Sequence, residues 1–233
     1  MTTKKNEKAN SLEGSLNQSE ALFLKYKKAI IISICVIVAV IVGYSLYHNY
    51  VAIPNEQEAS TELAKGQEYM AQGQFNKALK GDGATWKGFL NVASDYSSTD
   101  AGNLANLYAG LCYAHLQKAD WKKALEYAKK FNPSNDMIIS PASQMALGDI
   151  YANNGMLDEA VEAFKSAASL ADKQATDNTN NSVSPLSLKK AGIILESQNK
   201  KDEANKLYKE IKSKYINAAT YQDIDKYIER TTK

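Results

Sequence analysis

The stretch Gly148–Ala167, GDIYANNGMLDEAVEAFKSA, sets small and aromatic residues in a fixed order: from Gly148, Tyr151 follows at +3, Gly155 at +7, Ala160 at +12, Phe164 at +16 and Ala167 at +19. None of these is a catalytic residue type. Leu147, Gly148 and Tyr151 lie three or four residues apart and share one face of a helix, and Ala160, Phe164 and Ala167 do the same on a second helix. Between them Asn153, Asn154 and Gly155 break the pattern, and Asn and Gly accept positive φ at little cost. The spacing predicts a helical hairpin in which Gly148 and Ala160 let two backbones approach while Tyr151 and Phe164 fill the space beside the contact.

A hairpin of this kind cannot bury its apolar face alone, so the same ladder is expected to recur along the chain. It does. Gly192 is followed by Ala204 at +12, Tyr208 at +16 and Ile211 at +19, and Gly66 by Tyr69 at +3, Gly73 at +7 and Ala78 at +12. A further copy holds Gly110 and Tyr113 at the same spacing but has Ala124 at +14, which predicts a turn two residues longer. The reference alanines 78, 124, 160 and 204 are 46, 36 and 44 residues apart, so the array is irregular.

This order of glycine, tyrosine, glycine, alanine, phenylalanine and alanine resembles the tetratricopeptide repeat (TPR) over residues 58–215. The resemblance implies an all-α fold: an α-solenoid of about four irregular helix pairs over 58–233, closed by a carboxy-terminal capping helix. Two insertions interrupt it. The segment at 81–96 is expected to add a helix from Trp86 to Tyr96, and 174–185 reads as a polar loop. Gly81 and Gly83 lack the strand before and the Lys-Ser/Thr after that a phosphate loop needs, and read as a turn.

At the amino-terminal end, residues 29–47, AIIISICVIVAVIVGYSLY, carry no charge over 19 positions. As a helix they extend about 28 Å, close to the roughly 30 Å bilayer core. We assign a transmembrane helix to 29–48, a disordered cytoplasmic tail to 1–28 with a short interfacial helix at its end, and a linker to 49–57 in which Pro54 separates the anchor from the first repeat helix. A cleaved signal peptide fits poorly, because 28 residues precede the apolar run and HNYVAIPNE offers no A-x-A site. Lipoprotein processing at Cys35 fits no better, with Ile34 before it. Lys25, Lys27 and Lys28 abut the start of the span, which predicts a cytoplasmic amino terminus and, in a bacterium, an inner-membrane protein with periplasmic repeats. Tyr44, Tyr47 and Tyr50 suit the outer interface.

Charge leaves the repeat region neutral: residues 1–50 hold six Lys and three acids, and residues 51–233 hold 22 basic and 23 acidic side chains. With Arg230 as the one arginine, bidentate reading of phosphate or guanine is hardly available, and nucleic acid is not expected as a partner. Neither an enzyme nor a cofactor, metal or small-molecule substrate is expected. His48 sits at the membrane edge, His115 stands alone, and Cys112, three residues from His115, lacks a third orienting group and reads as a small hydrophobe. Cys35 lies in the membrane, so no disulfide to Cys112 is expected.

What remains is protein binding. The first helices of each pair line the concave face of a solenoid. By the turns between packing positions, Leu63, Met70, Leu107, Leu111, Met145, Asp149, Asn153, Lys189 and Glu196 are expected to face it. The lysine, asparagine and arginine clamp that some TPR proteins use for a terminal carboxylate is not reproduced, which predicts a more apolar peptide or helix as ligand. The whole layout resembles the YfgM-type ancillary subunits of the Sec translocon, through the anchor, the lysines before it and the segments YAGLCYAHL, ALGDIYANNG and LKKAGIILE. That resemblance implies a role joining the translocon to periplasmic chaperones, including a membrane-anchored prolyl-isomerase chaperone. The alternative is an anchored scaffold for envelope assembly, in outer-membrane or cell-wall machinery.

Overall fold

The computed structural model describes residues 3–232, with side chains from Leu24 onward. The chain divides into two units, Met1–Pro54 and Asn55–Lys233.

The first unit is one helix, α1 (Thr3–Tyr47), closed by a π-helical turn, His48–Ala52. Helix thus replaces the disordered tail expected before the span. Residues 3–28 contain no proline and a single glycine, Gly14. A helix already nucleated by the apolar run extends through them at the modest cost per residue of propagation. Among the described residues one helical stretch is long and apolar enough to cross a membrane, and its apolar part lies in α1. The expected linker at 49–57 is helical too. Pro54 is the second residue of α2 (Ile53–Ala71), and the Ile53 N–H reaches back five residues to the His48 carbonyl. A proline ring clashes with the carbonyl four residues earlier, and the wider π turn just before it accommodates that clash.

In the second unit the expected helix pairs form. α2 pairs with α3 (Phe75–Lys80), α5 (Asp100–His115) with α6 (Trp121–Ala128), α7 (Ile139–Asn153) with α8 (Leu157–Gln174), and α9 (Val183–Ser197) with α10 (Lys201–Lys214). A 3-10 turn, Ala219–Gln222, leads into the capping helix α11 (Ile224–Thr231). The turns at Gly73 and Gly155 take positive φ, 71° and 77°, and Asn199 does the same at 61° in the fourth pair. These residues stand at +7 from Gly66, Gly148 and Gly192, where the chain must reverse in a left-handed conformation. In the second pair residues 116–120 replace this short turn, which accounts for Ala124 at +14.

The interlock of small and large side chains is direct. A Cβ on Gly148 would lie 2.7 Å from the Phe164 ring, and one on Gly192 would lie 2.4 Å from the Tyr208 ring. At Gly110 the neighbour is backbone, with the Ala128 nitrogen at 2.9 Å, because alanine stands where the third and fourth pairs carry an aromatic. The first pair has no aromatic at +16, and the insertion supplies it. Phe89 and Trp86 would lie 2.4 and 2.6 Å from a Cβ on Gly66. The inserted helix α4 is shorter than expected, Phe89–Asp95. Asp82 accepts the N–H groups of Ala84, Thr85 and Trp86 in a turn, and Gly88 at φ 92° blocks a helix from entering earlier. Trp86 is buried outside any helix, its indole N–H donating to the Lys77 carbonyl at 3.0 Å.

Packing produces two apolar cores. One holds Ala59, Leu63, Ala78, Trp86, Phe89, Ala105, Cys112, Tyr113 and Ala124; the other holds Ala160, Phe164, Ala191, Ala204, Tyr208, Ile211 and Tyr215. α7 faces both, giving Leu147 and Ile150 to the first and Met145 and Tyr151 to the second.

Candidate protein-binding face

The residues expected on the concave face fall into three groups. Leu63 and Leu107 are only 7% and 5% exposed. They are packing residues, a correction to their expected role. Each falls three positions before a repeat glycine, Gly66 or Gly110, where neighbouring first helices press together.

The polar members are held by partners within the chain. Asp149 receives Lys190 at 2.6 Å. Lys189 binds Asp223 at 2.8 Å and stands over the Tyr227 ring. Glu196 takes a fork of two hydrogen bonds from Arg230, both at 2.7 Å, and a third from the Tyr208 hydroxyl at 2.5 Å. Burial pushes the Glu196 carboxyl up, but the bonds from Arg230 and Tyr208 outweigh it and hold the group below the ordinary glutamate range. Burial and the bond to Glu196 push the Tyr208 hydroxyl upward. The capping segment 219–231 therefore occupies the polar end of the expected face, and Lys189 and Glu196 serve to dock it. Its share was not legible from helix spacing, because Asp223 and Arg230 lie 34 residues beyond their partners.

Met70, Leu111 and Met145 remain half-buried, and Asn153 is exposed. Met70 packs against the first core and Met145 against the second, and both keep part of their surface open to solvent, as Leu111 does. Flexible thioethers at Met70 and Met145 let such a surface adapt to different side chains. Asn153 donates to the Asp149 carbonyl and borders a shallow cleft of about 470 Å³ with Asp120 and Trp121.

Cys112 is buried in the first core, and desolvation pushes its thiol up to about 12, so it stays protonated at neutral pH. His115 is exposed and stacks on Phe75 with ring centres 5.1 Å apart. Among the described residues no three His, Cys, Asp or Glu side chains converge as a metal would require.

Two features escaped the sequence reading. Ser-Pro-x-Ser stands eight residues before Gly148 and again before Gly192, as Ser140–Ser143 and Ser184–Ser187. In both copies the serines are buried, and a side-chain oxygen upstream caps the helix: Asp136 takes the Ile138 and Ser140 N–H groups, and Asn180 takes those of Ser182 and Val183. α9 thus begins at Val183, inside the segment expected to be loop, because proline fits a first helical turn. The second feature is the buried carboxylate of Asp172. It accepts hydrogen bonds from Ser184 and Tyr215, both at 2.6 Å, from the Asn180 N–H at 2.9 Å, and from Lys214.

No protein-family model and no curated protein matches this chain. Among solved structures it is similar to the nearly identical TPR-like repeats of a Podosopora anserina protein described as a putative kinesin light chain, at 14% identity and a TM-score of 0.56 over 76% of this chain and 86% of that one. A single-residue variant of those repeats matches equally, at 14% identity and a TM-score of 0.56, covering 76% of this chain and 85% of that one. At this identity the likeness concerns the fold, and the second unit is a TPR-like α-solenoid.

Proposed function

We propose that this chain is a non-catalytic scaffold, anchored in a bacterial inner membrane by α1, whose periplasmic repeats bind other proteins and link the Sec translocon to periplasmic chaperones, a membrane-anchored prolyl-isomerase chaperone among them. The observation that carries protein binding is that Met70, Leu111 and Met145, each on the first helix of its pair in a TPR-like solenoid, are half-buried apolar side chains. Such side chains take up an apolar segment through burial of area, with little demand on its sequence. The anchor fits a client or partner found at the membrane. The layout's resemblance to YfgM-type subunits supports the choice of translocon and chaperone, while an envelope-assembly scaffold shares the same physics with different partners.

Photocrosslinking in intact membranes, from an unnatural residue at Leu111 and from one at exposed Asn153, tests the proposal. Adducts with translocon subunits or the isomerase chaperone support it. Adducts confined to outer-membrane or cell-wall assembly factors transfer the scaffold to that machinery.

A further inference from the structure

We propose that the edge of the repeat domain built from the amino-terminal ends of α2, α5, α7 and α9 rests on a lipid surface, with Met137, Ile138 and Ile139 as its inserted tip. This rests on the reading of α1 as a membrane span.

The edge is continuous by contact. Glu56, in the first turn of α2, accepts the backbone N–H groups of Asp100 and Ala101 at 2.7 and 3.0 Å, and so caps the start of α5. Asn103, in the next turn of α5, exchanges two hydrogen bonds of 2.9 Å with the backbone of Asn132. The loop from Asn132 leads into α7, where the Ser134 N–H binds Ser140 at 2.8 Å. From there Gln174, the last residue of α8, reaches Asn135, and Asp172 joins the start of α9 to the end of α10 through Ser184 and Tyr215. The whole row of helix ends therefore faces one way.

Exposed apolar side chains gather on that row. Beyond Pro54, the large apolar residues that stand exposed are Met137, Ile138, Ile139, Leu186, Ile193 and Ile216. All except Ile193 lie at this edge: three lead into α7, Leu186 is in the first turn of α9, and Ile216 follows the end of α10. Ile138 is 74% exposed and Ile216 61%. The opposite edge, with the turns at Gly73, Gly155 and Asn199, exposes Gln72, Asn153, Lys200 and other polar side chains. A soluble domain has no reason to sort its exposed isoleucines to one rim.

Covalent geometry selects the occupant. Glu56 is nine residues beyond Tyr47, the end of α1. These residues are helical, so they give about 14 Å of chain, comparable with the depth of the polar layer flanking the hydrocarbon core. The start of α2, with Glu56, is thus tethered within reach of the bilayer surface. At the same edge exposed Lys129 and Lys173 stand with exposed Asp100 and Asp177, while Lys130 is paired with Glu126 at 2.9 Å, so the protruding apolar groups, with the lysines beside them, are what suit the edge to a lipid surface.

The test uses the full chain with Cys35→Ser, reconstituted into vesicles of phosphatidylethanolamine and phosphatidylglycerol. An environment-sensitive fluorophore is attached through Ile138→Cys or, as control, Asn153→Cys; the buried Cys112 does not react. The expected result is blue-shifted emission at 138, lost when the lipids carry a shallow nitroxide, with 153 unaffected. If the chain resists carbonate extraction yet the 138 probe behaves like the 153 probe, the edge does not touch lipid and the inference is overturned. Shielding of 138 from aqueous quencher without quenching by lipid also overturns it and assigns the rim to a second protein surface. Release of the chain by carbonate overturns the membrane span itself, and the inference with it.

Discussion

Gly192 and Tyr208 are in contact across α9 and α10 so closely that a single methyl on the glycine would fall 2.4 Å from the tyrosine ring. The ring cannot retreat, because it is fully buried and its hydroxyl is held by Glu196. Gly192→Ala is therefore expected to cost roughly 1–3 kcal/mol by overpacking. Thermal unfolding followed by circular dichroism measures the loss. Combining it with Tyr208→Leu should cost less than the two single changes added together, since the clash disappears with the ring.

The insertion at 81–96 is expected to be structural. Phe89 fills the space over Gly66 that Phe164 and Tyr208 fill in the later pairs. Phe89→Ala should cost roughly 3–5 kcal/mol, as truncation of a buried aromatic leaves a cavity. Tolerance of that change in a urea titration would sever the insertion from the first core.

How legible the fold was in the sequence can be judged from these same residues. The positions of Gly148, Ala160 and Phe164 follow from helical periodicity, and so do the left-handed turns at Gly73 and Gly155, because both depend on neighbours a few residues away. Trp86 and Phe89 stood outside the ladder because their partner, Gly66, lies more than five turns of helix earlier. The candidate site was less legible still. Helical spacing placed Leu107, Lys189 and Glu196 on a face, but it does not say whether the next helix or the cap covers that face.

Binding is expected to depend on Leu111 and not on Leu107 as a contact. Leu111→Asp sets a charge at a half-buried apolar position and should abolish capture of an apolar partner with helicity retained. Leu107→Asp buries an unpaired carboxylate instead and should lower the melting temperature before any binding is measured. Pull-down beside circular dichroism separates the two. A Leu111→Asp variant that still captures its partner would place binding elsewhere on the solenoid.

Stability should fall at both ends of the pH scale through Asp172 and Tyr215. Burial pushes the Asp172 carboxyl up, yet the bonds from Lys214, Ser184 and Tyr215 outweigh this and hold it below the ordinary 3.8. The folded state thus binds this proton less readily than the unfolded chain, and the stability it contributes above about pH 4 is lost as pH falls through the lowered value. Burial, then the bond to Asp172, raises the Tyr215 hydroxyl above 10.0, so its contribution is present below that pH and is lost as pH rises through the raised value. Urea midpoints measured from pH 2 to 11 should show both slopes, about their usual steepness for single groups. Asp172→Asn should flatten the acid limb.

Orientation is open to a direct reporter test. If Lys25, Lys27 and Lys28 stay in the cytoplasm, alkaline phosphatase fused after Lys233 should be active, and phosphatase fused ahead of Lys25 should not. The reverse pattern would place the repeats in the cytoplasm.

The two apolar cores make α7 the load path of the repeat domain. Tension between the start of α2 and a partner gripping α9 must cross from one core to the other, and α7 is the element that gives side chains to both. Each core is closed by its own aromatics, Phe89 over Gly66 in one and Tyr208 over Gly192 in the other, so the two meet only through the side chains of α7.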